Sequence, residues 1–346
     1  MTRREAIGLA VTAVLVAIAA TCHYGGLGAV ATFALSALAL AALARLVGQA
    51  TEQLGARLGS GSAGVVQSAL GNLPELFISL FALRQGLVEV VQAALVGSIL
   101  ANSVLVLGLA FVVGGLRHGL QRFSSDRART ISTLALLAAA TMAMPSLTHA
   151  LHTSAQAHEE TLSLICAGVL LVVFVVTLPM FLRPAEGEEH EPPHWSARVT
   201  TVVLACAAVG AAFTSDWFVE ALTPAIHTLH MSETFAGLVI VAIAGNAVEN
   251  VTGIVLADRG RADLAISVVK NSVAQIAAFV YPVLVLASVL TATTLTFAIA
   301  PIYIGALFGT AVIVWQIVGD GEARAFEGAA LVATFVILAA VAAFEH

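Results

Sequence analysis

Gly71-Asn72-Leu73-Pro74-Glu75 and Gly245-Asn246-Ala247-Val248-Glu249 are two copies of one short pattern, Gly-Asn-x-x-Glu, each set inside a long apolar run. A carboxylate at the centre of a bilayer costs at least ~2.5–3.5 kcal/mol, so an acid placed there signals function. Reading outward, Glu52 precedes the first copy and Ser98 and Asn102 follow it. Glu220 precedes the second, and Ser272 and Gln275 follow. The shared order is Gly-Asn-x-x-Glu in mid-span, a mostly apolar helix end, a short charged link, and a second helix carrying Ser and an amide.

The composition around these motifs is that of a lipid-facing chain. Hydrophobic residues make up 59% and charged residues only 10%, with a mean hydropathy of +0.97. A soluble domain carries about 25% charged residues. This deficit excludes a surface that faces mostly water. Because backbone polar groups must be satisfied internally in hydrocarbon, an all-α polytopic membrane protein is expected, each span taking about 20 apolar residues. Eleven such stretches are read, at 6–22, 28–50, 63–84, 88–115, 129–149, 161–182, 197–226, 233–256, 263–289, 295–317 and 326–344. Thr214-Ser215-Asp216 and Glu220 interrupt the seventh. Thr2-Arg3-Arg4 with the apolar run to Thr21, and the small-residue pattern Ala17-Ile18-Ala19, have the look of a cleaved signal. More spans follow at once, so the run is read as a retained first helix. Cys22, Cys166 and Cys206 lie in or beside apolar runs without metal-ligand spacing and read as small hydrophobes.

Charge distribution checks the count, since short cytoplasmic loops collect Lys and Arg. With eleven spans and the N-terminus inside, cytoplasmic segments hold thirteen of the fourteen arginines, from Arg3 and Arg4 through Arg117–Arg129 to Arg324; the other side holds only Arg84. The topology is N-in, C-out. Arginine and alanine usage points to a GC-rich prokaryote and hence to the bacterial inner (plasma) membrane.

The two motif copies fall in spans 2–6 and 7–11. Five spans is an odd number, so the second copy enters from the opposite side, the inverted repeat of alternating-access transporters. The expected organisation is a first transmembrane helix (1–27), a five-helix repeat (28–182), an acidic cytoplasmic linker (183–196) and a second five-helix repeat (197–346). The linker, rich in Glu and Pro, reads as a solvated hinge.

Glu75 and Glu249 lie near mid-depth at 1.5 Å rise per residue. Asn72 and Asn246, three residues before them, share their helical faces. Gly71 and Gly245 permit close backbone approach, and Pro74 cannot donate to the Leu70 carbonyl, leaving that oxygen available. Two carboxylates, amide oxygens and freed carbonyls form a hard oxygen cage suited to Ca²⁺, and the absence of thiolate and imidazole disfavours Zn²⁺ or copper. Two carboxylates facing one cavity titrate as a unit, and a divalent cation competes with protons for the same oxygens. That competition is the expected basis of antiport.

The motifs resemble the two signature repeats of the cation/proton exchanger (CAX) family of the Ca²⁺/cation antiporter superfamily. The resemblance rests on Gly71–Glu75 with its continuation Leu-Phe-Ile-Ser-Leu-Phe-Ala-Leu, and on Ser232-Glu-Thr-Phe-Ala-Gly-Leu-Val-Ile-Val with Gly245–Glu249. It covers nearly the whole chain. It implies a Ca²⁺/H⁺ antiporter with Glu75 and Glu249 as core cation ligands beside Asn72 and Asn246. Gly97-Ser98, Asn102, Ser272 and Gln275 would line the opposing helices, and Glu52 and Glu220 would be acids at the inner and outer cavity mouths. Departures are Leu73-Pro74, similar to the Leu-Pro-Glu of Na⁺/Ca²⁺ exchangers, Asn250 in place of a frequent His, Asn271 in place of Gly, and Lys270, the only lysine, inside a span.

A Na⁺/Ca²⁺ exchanger is the nearest alternative; amides at positions 72 and 246, where that branch has Ser or Thr, favour H⁺. An intramembrane carboxylate enzyme lacks a nucleophile beside the acids, and a passive channel has less use for paired acids that bind tightly. No cofactor is called for beyond the transported Ca²⁺ and H⁺. The expected partners are a divalent cation, protons and the lipid bilayer, and no nucleic acid. Loop histidines, His149, His152 and His158 among them, read as solvated side chains, with pH sensing as the lesser alternative.

Overall fold

In a computed structural model, the structure describes residues 2–58, 70–181, 193–291 and 293–345, with backbone alone at 58, 127 and 177–181. The chain is built almost wholly of helices. In order they are α1 (Arg3–Tyr24), α2 (Ala29–Leu58), α3 (Leu73–Arg84), α4 (Val88–His118), α5 (Ser125–Ala150), α6 (Glu159–Phe181), α7 (Ala197–Leu229), α8 (Glu233–Gly245), α9 (Ala247–Asp258), α10 (Ala262–Ser288), α11 (Pro301–Val318) and α12 (Ala325–Phe344). Among the described residues nine helices are long and apolar enough to cross a membrane, or ten with the bent pair α8–α9 taken as one span. The first part of the expected third span, and residues 183–192 of the linker, lie outside the described residues.

Local chemistry sets many of the boundaries. Thr2 caps α1 in a capping box with Glu5, and Ser196 caps α7 through the Val199 amide. Pro301 occupies the first turn of α11, where its missing N–H costs nothing. Two elements depart from the expected spans. The run 233–256 is not one helix: α8 and α9 are bent by 65° at Asn246. The tenth expected span begins at Pro301 rather than 295, because residues 293–299 form a non-helical segment that buries Leu295, Phe297 and Ile299. Phe297 there is fully buried. The backbone of this segment is satisfied by side chains, as a non-helical stretch among buried helices requires. Gln92 donates to the carbonyls of Thr296 (3.2 Å) and Ala298 (3.0 Å), Ser163 accepts from the Phe297 amide (3.0 Å), and Ser146 accepts from the Ile299 amide (2.9 Å). An apolar run alone does not distinguish such a segment from a helix.

The long helices α2 and α7 lie side by side; α4 packs on α12, and α5 on α11. Two loops, 119–124 and 319–324, meet in a short antiparallel pair, β1 (Gln121–Arg122) with β2 (Glu322–Ala323), closed by Arg122–Glu322 at 3.1 Å. The innermost crossing is that of α4 and α8. A Cβ on Gly97 would stand 2.2 Å from the Leu238 carbonyl oxygen, and one on Gly237 would stand 2.5 Å from that of Val90. Only glycine lets these backbones touch.

Candidate functional site

The two motifs share one backbone conformation at the asparagine, and at Asn246 it separates α8 from α9. Asn72 has φ −97° and ψ 19°; Asn246 has φ −100° and ψ 22°. A new helix starts at the next residue in each case, so Glu75 and Glu249 each sit in a first turn, at the positive end of a helix dipole. The pattern therefore gives more than two acids in mid-span. It gives two helix starts, at Leu73 and Ala247, each carrying an acid in the first turn directly after an amide.

These helix starts meet polar residues of the other half. The Asn246 side-chain amide donates to Ser98 Oγ (2.9 Å) and to the Ala242 carbonyl (3.0 Å), while its Oδ1 accepts from Ser272 (3.3 Å) and Asn102 (3.5 Å). Asn102 also donates to the Ser98 carbonyl (2.9 Å). Asn72 donates to Gln275 Oε1 at 2.9 Å. Asn246 of the second copy thus binds Ser98 of α4, and Asn72 of the first copy binds Gln275 of α10. Ser98 and Ser272 stand as far apart in the chain as Asn72 and Asn246 do. Glu75 crosses as well: a Cβ on Gly245 would lie 3.2 Å from its Cγ. Gly71 differs from Gly245, since a Cβ there meets nothing within 4 Å among the described residues. Among the described residues, close approach is built at Gly245 and not at Gly71.

Within this centre several acceptors lack a donor. Among the described residues, Glu75 Oε2 and Asn102 Oδ1 are buried with no hydrogen-bond partner, as are Asn250 Oδ1 and Asn271 Oδ1 of α9 and α10. Orphaned buried oxygens are costly unless something positive completes them. Among the described residues no three His, Cys, Asp or Glu side chains gather into a metal group. The available donors are carboxylate, amide and hydroxyl oxygens, the set that suits a hard divalent cation carried as substrate. The unpaired oxygens of Asn250 and Asn271 were noticed in the sequence only as departures from a pattern; burial is what distinguishes them. π-helical turns at Ala101–Val106, Ala236–Val241 and Ile276–Val280 lie on the helices that frame the centre, and such turns recur at functional sites.

Other singled-out residues lie outside the central network. Glu220 is half exposed and pairs with His23 at 3.6 Å. Glu52 is exposed near the end of α2. Lys270 is buried in α10 at 6% exposure. At 100° per residue it stands about 200° around the helix from Ser272, on the face away from the site.

The family profile described as sodium/calcium exchanger protein matches residues 28–183 and, separately, 199–344. The chain belongs to the sodium/calcium exchanger protein family. Within it, a Ca²⁺/H⁺ antiporter of Bacillus subtilis, ChaA, is 35% identical over 318 residues, covering 89% of this chain and 90% of its own. A vacuolar cation/proton exchanger of Oryza sativa is 30% identical, covering 89% and 75%. The solved structure of native YfkE superposes with a TM-score of 0.84 at 31% identity, over 98% of this chain and 100% of that one. These relatives bear out the resemblance to cation/proton exchangers, and place the family member among transporters rather than enzymes.

Proposed function

We propose that this chain is a secondary transporter that exchanges Ca²⁺, or a similar divalent cation, for H⁺ by alternating access. Glu75 and Glu249 are the groups shared between cation and protons, with Asn72 and Asn246 beside them. The observation that supports the reading is the near-identical backbone at Asn72 and Asn246, each followed at once by a helix whose first turn carries a glutamate. Such half-helix ends facing a midplane site characterise transporters built on inverted repeats. The unpaired Glu75 Oε2 and Asn102 Oδ1 supply the oxygens that a cation completes.

Eleven spans in a 1 + 5 + 5 arrangement fit this mechanism. The halves are 28–182 and 197–346, joined by the acidic linker 183–196. The separate matches of one family profile to 28–183 and 199–344 support two related halves. Gly71, Gly245, Ser98, Asn102, Ser272 and Gln275 line the cavity in this reading, and Glu52 and Glu220 stand at its mouths. The arginine bias favours an inner membrane with the N-terminus cytoplasmic and the C-terminus outside. A Na⁺-driven exchanger is disfavoured by the amides at 72 and 246, and by relatives whose names specify protons.

The test is ⁴⁵Ca²⁺ uptake into proteoliposomes under an imposed pH gradient. Uptake should follow the proton gradient, ignore Na⁺ and vanish in Glu75→Gln and Glu249→Gln. Uptake that requires a Na⁺ gradient would move the chain to the other branch of its family.

A further inference from the structure

The first helix lies outside both motif-bearing halves, yet both of its ends are fastened to α7 through histidine–carboxylate pairs. At one end Glu5 of α1 accepts from, or bonds to, His194 Nε2 at 2.8 Å, just before α7 begins. At the other end His23 of α1 lies 3.6 Å from Glu220 of α7. The two pairs are reciprocal, with the acid on α1 at one end and on α7 at the other. Glu5 and His23 are 18 residues apart, about 27 Å at 1.5 Å rise, so the pairs stand at opposite ends of a helix long enough to cross a bilayer.

Each pair is built into its surroundings. Glu5 uses its other oxygen to cap α1 through the Thr2 amide. His194 is held by its own amide donating to Gln53 of α2 at 3.0 Å, and Arg57 of α2 bonds the neighbouring Trp195 carbonyl. His23 is stacked on Trp217 of α7, with ring centroids 5.7 Å apart, and Tyr24 packs edge-on against both rings. On the elements packed against these pairs, the other ionisable side chains are Arg3 and Arg4 of α1, Arg45 and Glu52 of α2, Glu75 and Arg84 of α3, and Arg198, Asp216 and His227 of α7. Neither pair touches the Asn–Glu centre. Neither is needed to satisfy the core of α1, most of which faces outward.

We propose that α1 is a pH-responsive strap on α7, with His23 and His194 as positioning residues that report the pH on the two sides of the membrane. Imidazole changes charge between about pH 5 and pH 8. The imidazolium form attracts its carboxylate partner, and at the His23 end it also strengthens the stack on the indole face. Acid therefore tightens each end and alkali releases it. A tightened strap restrains α7, the helix that lies along α2 and carries the mouth acid Glu220. This does not depend on which ion is carried.

Trp217 provides a readout separate from transport, because an imidazolium stacked on indole quenches its emission more than the neutral ring does. In protein carrying Trp195→Phe and Trp315→Phe, Trp217 emission is followed from about pH 8 to about pH 5. A fall in emission on acidification is expected, lost in His23→Gln and reduced by at least about half in Glu220→Gln. Emission without a pH step, or a step that persists in His23→Gln, overturns the strap. In proteoliposomes held at a fixed pH difference, acid on both faces should slow the His23→Gln/His194→Gln double variant less than wild type, with the proton competition at Glu75 and Glu249 common to both. Parallel pH profiles for the two proteins would overturn the regulatory role, while the emission step alone decides the contact.

Discussion

Replacing Gly97 by alanine is the sharpest mechanical test of how the site is assembled. The added Cβ would stand 2.2 Å from the Leu238 carbonyl oxygen, 2.6 Å from its Cα and 2.7 Å from its carbonyl carbon. Ordinary contacts of this kind are at 3.4 Å or more. All three atoms are backbone, so no rotamer change relieves the clash, and α4 and α8 must separate by roughly 1 Å. Overpacking costs ~1–3 kcal/mol, against which alanine returns ~0.5–1 kcal/mol of helix preference over glycine, leaving a net loss of about 1 kcal/mol. The separation also matters chemically. Ser98 adjoins Gly97 and accepts from Asn246 at 2.9 Å, and 1 Å of displacement takes that pair out of hydrogen-bonding range. Gly48 supplies the control, since a Cβ there meets nothing within 4 Å, so Gly48→Ala should gain ~0.5–1 kcal/mol. Thermal unfolding in detergent, followed by tryptophan emission, should show Gly97→Ala melting below wild type and Gly48→Ala at or above it. Ion uptake should fall only in Gly97→Ala. Equal melting of wild type and Gly97→Ala, or equal losses in the two variants, would refute the close crossing as the element that sets the site.

Three further outcomes follow from particular contacts. Asn246→Ala removes the amide that joins Ser98, Ser272 and Asn102, leaving buried partners unsatisfied; cation affinity in a binding titration should weaken by about tenfold or more. Gln92→Ala removes the amide that donates to the Ala298 carbonyl and leaves the Thr296 carbonyl with Tyr281 (3.2 Å); it should lower thermal stability by ~1–3 kcal/mol, with motif chemistry untouched. Arg122→Ala, in contrast, breaks an exposed ion pair with Glu322 and should change stability by no more than about 1 kcal/mol, within the scatter of a melting curve.

Much of this architecture could be read from residue order because charge is so expensive in hydrocarbon. Glu75 and Glu249 stand out in their apolar runs, and the residues that repeat around them, Asn72 with Asn246 and Ser98 with Ser272, identify the groups that the fold brings together. What could not be read is how they are joined. Nothing in Asn246 itself signals a 65° bend, and only the fold pairs Asn72 with Gln275 while Asn246 takes Ser98. The non-helical segment 293–299 was hidden because burial favours the same apolar residues in a helix and in an irregular chain. Pro301 was its one visible marker. The glycine crossing at Gly97 and Gly237, and the His–carboxylate pairs of α1, are contacts between distant positions that periodicity does not reveal.

The central claim is that one pair of carboxylates serves both the cation and the protons, and proton release on cation binding measures this directly. Ca²⁺ is added to purified protein in weakly buffered detergent solution with a pH-sensitive dye. The account predicts release of protons in step with Ca²⁺ binding by the wild type, and none in Glu75→Gln/Glu249→Gln. Saturable Ca²⁺ binding with no accompanying proton release would contradict it.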